Sequence, residues 1–326
     1  MSTVSVPVAP HLTFVQSITI GVLQGVTELF PVSSLGHSVI LPALVGGSWK
    51  TLVTQEHEAE SPYLAFIVGL HVATALALLC FFWRDWVRIV RGFFTSIRHR
   101  RLQTVHEKMA WLIVVASIPA GILGLTLEHV FRTIFAKPEA AAIFLTINGG
   151  ILYAGERLRR RAVARRSAGA ASSERVLTVE TDPAIDPVAE PEHDPANDAA
   201  VTQRVSFRDA GFIGVFQSLA LLAGISRSGI TMVAGLLRGL DHEQAVRFSF
   251  LLATPVIFAA GVYKLPDLFG PLGQGIHGQV LAGSGAAFVA ALASTKFLTR
   301  WFRTRTLTPF AIYCGGFGVF CIAWFA

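Results

Sequence analysis

Long apolar segments alternate with short polar loops along most of the 326-residue chain. A helix needs roughly 20 consecutive apolar residues to cross a hydrocarbon core of about 30 Å. Six segments approach that length, so the pattern predicts an all-α polytopic membrane protein. The predicted spans are residues 63–83, 110–127, 140–154, 248–263, 280–298 and 309–326.

Two further apolar regions are each interrupted by serine and glycine, and their arms are too short to cross comfortably. Irregular backbone at membrane depth is tolerated only where protein or a water-filled cavity surrounds it. Each region therefore predicts a re-entrant helical hairpin. The hairpins comprise residues 12–47, with arms at 12–30 and 37–47, and residues 210–240, with arms at 210–222 and 230–240.

The two hairpin regions are related in sequence. The segment "IGVLQGVTELFPVSSLG" from Ile20 aligns without gaps to "IGVFQSLALLAGISRSG" from Ile213. Internal duplication is the simplest explanation. Three predicted spans follow each hairpin, and an odd number of crossings reverses the orientation of the second copy. The sequence therefore predicts two inverted membrane repeats, residues 1–156 and 207–326.

Basic residues predict how these repeats are oriented. The loop 84–108 carries seven lysines and arginines, whereas the loop 48–62 carries three glutamates and one lysine. Loops rich in lysine and arginine stay on the cytoplasmic side. Both chain ends are then expected outside, and the two hairpins enter from opposite faces. Their tips should meet near the midplane, where inverted-repeat proteins place their binding sites.

Residues 157–206 break the apolar pattern between the repeats. They begin with "RLRRRAVARR", which contains six arginines, and eight acidic residues follow between Glu174 and Asp198. So little apolar surface cannot offset the entropy lost on ordering. We expect a disordered cytoplasmic linker whose basic start lies against the lipid.

The composition agrees with a membrane protein. Hydrophobic residues make up 52% of the chain, charged residues 15%, and the mean hydropathy is +0.56. Soluble domains carry about a quarter charged residues. The net charge of +6 comes largely from loop arginines, which is typical of a topology signal. We therefore expect membrane lipids as partners, and no nucleic acid.

The first hairpin tip places polar groups inside an apolar region. An ionised Glu28 near the bilayer centre costs several kcal/mol unless it is paired, hydrated or metal-bound. Gln24 lies one turn earlier on the same helix face. A helix is predicted to begin near Ser33 or Ser34, and such an N-terminus attracts anions. His37, one turn further on, can transfer a proton. The alternative is a polar contact that only holds the hairpin together.

The second tip, "GISRSGIT" from Gly224, places Arg227 between two serines. Its guanidinium can bind phosphate oxygens through two parallel hydrogen bonds. Gly229 lets the backbone approach a ligand closely. Arg227 could instead neutralise Glu28 as a structural ion pair, and the two interpretations are compatible. Together the tips suit phosphoryl chemistry on a lipid.

The motif "QGVTELFPVSSLGH" from Gln24 and the motif "GISRSGIT" resemble the two signature motifs of the bacterial undecaprenyl-diphosphatase family, the bacitracin-resistance proteins. The segments "HVATALALLCFFWRD", "FSFLLATPV" and "TPFAIY" also fit, so the resemblance covers nearly everything except the linker. It implies hydrolysis of undecaprenyl diphosphate to undecaprenyl phosphate and inorganic phosphate in the plasma (inner) membrane. This reaction recycles the carrier lipid for cell-wall synthesis.

The resemblance also implies roles for individual residues. By motif position, Glu28 becomes the essential acid, Ser34 a candidate nucleophile or phosphate donor, His37 the proton-transfer partner and Arg227 the diphosphate clamp. An activated water is the alternative nucleophile. The expected substrate-binding residues are Gln24, Ser33, Ser226, Ser228, Gly229 and Thr231.

A divalent cation, Mg2+ or Ca2+, is a further implication, with Glu28 as its expected ligand. The chain departs from the family pattern at three places. Gln24 occupies a position where the family accepts Glu or Gln, Ala223 replaces the usual proline, and Ile67 replaces a common acid. With so few carboxylates, the cation would depend on diphosphate oxygens and water, which favours Mg2+.

A transporter is the competing hypothesis. Inverted repeats with opposed re-entrant hairpins are also an alternating-access architecture. The same residues could therefore belong to a polyprenyl-phosphate transporter with little or no hydrolytic activity. The sequence also leaves open whether the protein forms a homo-oligomer.

Overall fold

The computed structural model describes residues 12–54, 62–135, 137–173, 195–270 and 275–326. Within these ranges the chain is helical and contains no strand, which confirms the all-α prediction. A 3-10 turn, Leu219–Leu221, follows α9. The helices are α1 (Phe14–Thr27), α2 (Ser34–Val45), α3 (Gly47–Thr54), α4 (Pro62–Phe81), α5 (Trp83–His99), α6 (Val105–Phe135), α7 (Pro138–Ser173), α8 (Pro195–Arg204), α9 (Phe207–Ser218), α10 (Arg227–Leu237), α11 (His242–Phe269), α12 (His277–Thr304) and α13 (Thr308–Phe325).

The helices include several that are long and apolar enough to cross a membrane, as expected for a polytopic membrane protein. In the described part of the chain, α4 and α5 pass this test only together, and they meet at 87°. The predicted span 140–154 lies within α7, which is not among the helices that pass; this segment contains Asn148 and is followed by Glu156. The helices that pass alone are Val105–Thr126, His242–Tyr263, His277–Thr304 and Thr308–Phe325.

Both hairpins break and restart their helices at equivalent residues. The side chain of Ser33 accepts a hydrogen bond from the Gly36 backbone N–H, so α2 begins at Ser34 as predicted. The aligned Ser226 accepts from the Gly229 N–H, and α10 begins at Arg227. A capping serine supplies an acceptor to one of the free N–H groups of the first turn.

Glycines let each hairpin pack closely against a helix from the other half of the chain. A Cβ atom at Gly21 of α1 would lie 2.2 Å from the carbonyl oxygen of Gly283 on α12. A Cβ atom at the aligned Gly214 of α9 would lie 2.4 Å from the carbonyl oxygen of Ala116 on α6. No side chain fits at such distances, so both positions require glycine. Other helix pairs also join the halves, among them α4 with α11, α4 with α12 and α7 with α13.

The ends of the linker differ from the sequence-based expectation. Residues 157–173 continue α7, and residues 195–204 form α8, so the prediction of disorder is wrong for these two parts. Arginine and alanine have high helix propensity, and Arg160 donates to Glu156 one turn earlier, with 2.9 Å between Nε and Oε1. The rest of the predicted disordered segment, 174–194, lies outside the described residues.

The linker helix α8 is held by a buried ion pair. Arg247 donates from Nε to Oδ1 of Asp198 over 2.7 Å and from a terminal nitrogen to Oδ2 over 3.1 Å. The carboxylate of Asp85 lies 3.1 Å from the same guanidinium. All three side chains are at most 7% exposed. Asp198 therefore attaches α8 to the membrane helices. This buried pair explains why α8 is an ordered helix although the linker has a polar composition.

We expect Asp198→Ala to destabilise the protein strongly. Arg247 would lose both hydrogen bonds to Asp198 and keep Asp85 as its partner, and a hydrogen bond to a charged group contributes about 1.5–3 kcal/mol. Thermal unfolding in detergent measures the effect. The control is Glu243→Ala, which removes an exposed pair with Arg303 and should cost about 0–1 kcal/mol. Equal shifts for the two variants would contradict this role for Asp198.

Candidate active site

The two hairpin tips touch each other directly. The Gly224 backbone N–H donates to the Ser33 hydroxyl over 3.1 Å. The hydroxyl of Ser228 donates to the carbonyl oxygen of Phe30 over 3.2 Å. A Cβ atom at Gly36 would lie 3.0 Å from the Gly224 Cα, and Gly224 itself has a φ of +111°, which favours glycine. The tips thus form one continuous buried unit.

A carboxylate and a guanidinium join the tips at their centre. Arg227, the first residue of α10, donates a hydrogen bond to Oε1 of Glu28. The other oxygen, Oε2, accepts from the Ser34 hydroxyl over 2.5 Å and from the Gln24 side-chain amide over 3.0 Å. The Glu28 side chain is 3% exposed and the Arg227 side chain 20%. The structure therefore brings together four of the residues singled out from sequence.

Two helix N-termini converge on this carboxylate. Ser34 is the first residue of α2 and Arg227 the first residue of α10, and each contacts Glu28 through its side chain. A helix N-terminus carries a partial positive charge and binds anions. Both helices therefore begin beside the Glu28 carboxylate.

Asn148 bridges both tips, although sequence reasoning did not identify it. Its side-chain nitrogen donates to the Pro31 carbonyl oxygen over 3.1 Å, and its side-chain oxygen accepts from the Ser226 N–H over 3.1 Å. Asn148 is fully buried. Its signal in the sequence is a single amide within the apolar segment 140–154, because such a group needs a partner inside the membrane.

The two histidines near the tips have different surroundings. His37, the expected proton-transfer partner, does not contact Glu28 or Arg227. Its Nδ1 lies 2.7 Å from the Ser33 carbonyl oxygen and its Nε2 lies 2.8 Å from the Tyr313 hydroxyl. A carbonyl only accepts, so in the neutral ring Nδ1 donates and Nε2 accepts from Tyr313. His37 therefore holds Ser33, the residue that caps α2, in place.

His71 is the histidine beside the carboxylate. Its Nε2 lies 3.6 Å from Oε2 of Glu28, and its Nδ1 lies 2.9 Å from the Ile67 carbonyl oxygen, which fixes the ring. The side chain is 20% exposed. Sequence reasoning missed this residue. Its signal is a single histidine in the predicted span 63–83, at a distance from both motifs that no local pattern connects to them.

Comparison with known proteins places the chain in a family. The family described as "Bacitracin resistance protein BacA" matches residues 17–320, which include both tips and all the residues that join them. The chain belongs to this BacA family. It is 60% identical over 317 residues to the undecaprenyl-diphosphatase of Mycolicibacterium paratuberculosis, covering 97% of this chain and 98% of the relative. It is 57% identical over 339 residues to undecaprenyl-diphosphatase 2 of Frankia alni, covering 97% and 99%.

More distant relatives carry the same name. The undecaprenyl-diphosphatase of Granulibacter bethesdensis is 40% identical over 314 residues, covering 95% of this chain and 96% of the relative. The matches extend over nearly the whole of each protein, so they include both hairpins and the segment between them. The family resemblance found in the two motifs is thereby confirmed.

In this BacA family member, several second-tip residues hold the tip itself. The Ser226 hydroxyl caps α10, and the Thr231 hydroxyl donates to the Arg227 carbonyl oxygen over 2.8 Å. A Cβ atom at Gly229 would lie 3.0 Å from Leu152 and 3.1 Å from Pro31. Gly229 therefore allows close packing between the tips and α7, whereas the sequence suggested space for a ligand.

The donor set at the centre does not form a metal cage. The described residues contain no group of three or more His, Cys, Asp or Glu side chains placed to hold a metal ion. Glu28 is the carboxylate that joins the tips, and both of its oxygens accept hydrogen bonds from protein groups. A divalent cation here would need most of its ligands from outside the protein.

Proposed function

We propose that this protein hydrolyses undecaprenyl diphosphate to undecaprenyl phosphate and inorganic phosphate, and so recycles the carrier lipid for cell-wall synthesis. The relatives named undecaprenyl-diphosphatase align over 97% of the chain. The observation that carries the proposal is the Ser34–Glu28–Arg227 arrangement. It joins a hydroxyl, a base and a phosphate-binding cation at the contact between two helix N-termini.

Arg227 and Glu28 form the resting state of the site. An arginine binds diphosphate oxygens bidentately, and the helix N-termini of α2 and α10 favour the same negative charge. A diphosphate that enters the site replaces Glu28 as the partner of Arg227. The Glu28–Arg227 ion pair, which the sequence suggested as a structural alternative, is then the state of the site before the diphosphate binds.

Freed from Arg227, Glu28 keeps its hydrogen bond to Ser34 and serves as the base. The Ser34 oxygen attacks the terminal phosphorus, the bond from that phosphorus to the bridging oxygen breaks, and undecaprenyl phosphate leaves. Glu28 takes the hydroxyl proton of Ser34. Water then hydrolyses the phosphoserine and releases inorganic phosphate. The Ser34–Glu28 contact favours Ser34 over an activated water as the nucleophile.

His71 is a positioning residue for Glu28 in this proposal. We expect His71→Ala to lower kcat by about 10–100-fold, because small displacements of a catalytic group are costly. KM should change little, since His71 contacts Glu28 and the proposed ligand of the diphosphate is Arg227. His71→Gln keeps a donor and should recover part of kcat. A variant His71→Ala with unchanged kcat, measured by phosphate release, would contradict this role.

We propose that a divalent cation assists the bound diphosphate, with Glu28 and the side-chain oxygen of Gln24 as its protein ligands. It would neutralise phosphate charge, and its remaining ligands would be diphosphate oxygens and water, which suits Mg2+. Activity should fall on chelation and return with added Mg2+.

The inverted-repeat architecture is part of the proposal. α1 of the first half packs on α12 of the second half, and α9 of the second half packs on α6 of the first. Two related halves should pack in this reciprocal way, and the contacting glycines Gly21 and Gly214 occupy aligned positions. We place the protein in the bacterial inner membrane with both chain ends outside and the linker in the cytoplasm. The arginine-rich loops support this orientation.

Phosphate release by the purified full chain tests the function. Undecaprenyl diphosphate in detergent with Mg2+ should yield inorganic phosphate, and an Arg227→Ala control should yield none. Equal release by the two proteins would contradict the proposal.

The names of the relatives favour hydrolysis over the transporter hypothesis. Reconstituted vesicles separate the two, because a pure transporter would move labelled undecaprenyl phosphate across the bilayer and release no phosphate from the diphosphate.

A further inference from the structure

The helix α5 has the features of a helix that lies along a membrane surface. It meets α4 at 87°, so it runs parallel to the membrane plane if α4 crosses the membrane. The residues of its outer stripe are 40–64% exposed. Their spacing of three and four places them on one face of the helix. This stripe consists of Trp83, Val87, Val90, Phe94 and Ile97.

The same segment carries concentrated positive charge. Among the described residues, no carboxylate forms an ion pair with Arg91, Arg98, Arg100 or Arg101. The nearest acids in sequence are already engaged. Asp85 contacts Arg247, and the Glu107 carboxylate accepts from the Gln103 and Thr104 backbone N–H groups and from the Thr95 hydroxyl. Two of these four arginines lie within α5 and two directly follow it, and their guanidinium groups are available for an external anion.

A cavity of about 530 Å³ opens where α5 ends. Its walls combine Arg100 and Arg101 with apolar side chains of α5, α6 and α9. Arg100 ends the helix in a left-handed conformation with a φ of 52°. The Trp111 indole N–H donates to the Ser96 hydroxyl over 2.9 Å, which fixes the position of the indole in the cavity wall. The apolar walls include Ile97, Leu102, Trp111 and Phe207.

We propose that this cavity binds the phosphate-bearing headgroup of an anionic phospholipid from the cytoplasmic leaflet. Arg100 and Arg101 would bind the phosphate, and the apolar walls would take the start of the acyl chains. The stripe of α5 reaches the cavity at Ile97, so a lipid in the interface contacts both. This continuity favours a membrane lipid over a free phosphate. The cavity shares no residue with the Glu28–Arg227 site.

Native mass spectrometry of the full chain in a mild detergent tests the proposal. Dioleoyl phosphatidylglycerol should bind, and dioleoyl phosphatidylcholine should bind much more weakly. The double variant Arg100→Gln/Arg101→Gln should weaken phosphatidylglycerol binding about 30-fold, since each arginine near the headgroup contributes about 1 kcal/mol. The matched control is Arg300→Gln/Arg305→Gln, which removes two exposed arginines near the end of α12 that do not line the cavity and should bind like the original protein.

Three outcomes would overturn the proposal. Equal losses in both double variants would indicate general charge attraction. Displacement of the lipid by millimolar glycerol phosphate would indicate a site for soluble phosphates. Unchanged binding in the Arg100→Gln/Arg101→Gln variant would place the lipid elsewhere. Because both arginines are exposed, the Arg100→Gln/Arg101→Gln variant should unfold at the same temperature as the original protein. Phosphate release reports on the Glu28–Arg227 site and is measured separately from lipid binding.

Discussion

We expect Arg227→Gln to lower kcat/KM for phosphate release by about 10³-fold or more, the size of effect seen when an arginine that stabilises a transferred phosphoryl group is removed. The amide cannot offer two parallel charged hydrogen bonds to the diphosphate. The same change leaves the Glu28 carboxylate without its cation at a place where the side chain is 3% exposed. The variant should therefore also lose about 3–5 kcal/mol of stability.

The double variant Glu28→Gln/Arg227→Gln separates these two effects. Both charges are gone, and the two amides can hydrogen-bond to each other, so its unfolding temperature should return close to that of the original protein. Its phosphate release should stay as low as that of the single variant, because neither the clamp nor the base is present. Recovery of activity together with stability would show that the pair has only a structural role.

Ser34→Ala is expected to lower kcat by about 10³-fold or more while the protein stays folded. Loss of a nucleophile leaves only the contribution of binding and transition-state contacts. Loss of the hydrogen bond from Ser34 to the Glu28 carboxylate should cost about 1.5–3 kcal/mol of stability. Inorganic phosphate release at saturating lipid measures the effect, and thermal unfolding checks the fold.

Ser38→Ala is the matched control for this serine. Ser38 lies one turn further along α2, is 4% exposed, and donates to the Leu35 carbonyl oxygen over 3.0 Å. Loss of this neutral hydrogen bond should cost about 1 kcal/mol of stability and leave kcat unchanged. If Ser34→Ala lowered kcat only about as much as removal of a single hydrogen bond does, roughly tenfold, an activated water would be the nucleophile.

Local features of the sequence predicted much of this structure. The start of α2 at Ser34 follows from a serine after a proline, and the start of α10 at Arg227 follows from the aligned serine. Capping is decided within four residues, so a motif contains all of its information. The Glu28–Arg227 pair was also foreseeable, because a buried carboxylate and a buried arginine each need a partner.

Contacts between distant helices could not be predicted in the same way. Asn148 and His71 are single polar residues in apolar runs, and nothing nearby shows which tip they contact. The docking of α8 depends on Arg247, 49 residues from Asp198. Composition alone indicates disorder there, because it does not include the energy of a buried pair formed with another helix. The role of Gly229 likewise depends on Leu152 and Pro31, which only the fold brings near it.

The most direct test of the active-site assignment compares initial rates of phosphate release from undecaprenyl diphosphate. The original protein and the Glu28→Gln/Arg227→Gln variant are measured at equal amounts of folded protein. Their unfolding temperatures are compared first, to show that both proteins are folded equally well. We predict rapid release by the original protein and a rate at least about 10³-fold lower for the variant. Similar rates for the two proteins would contradict the assignment of catalysis to the contact between the two tips.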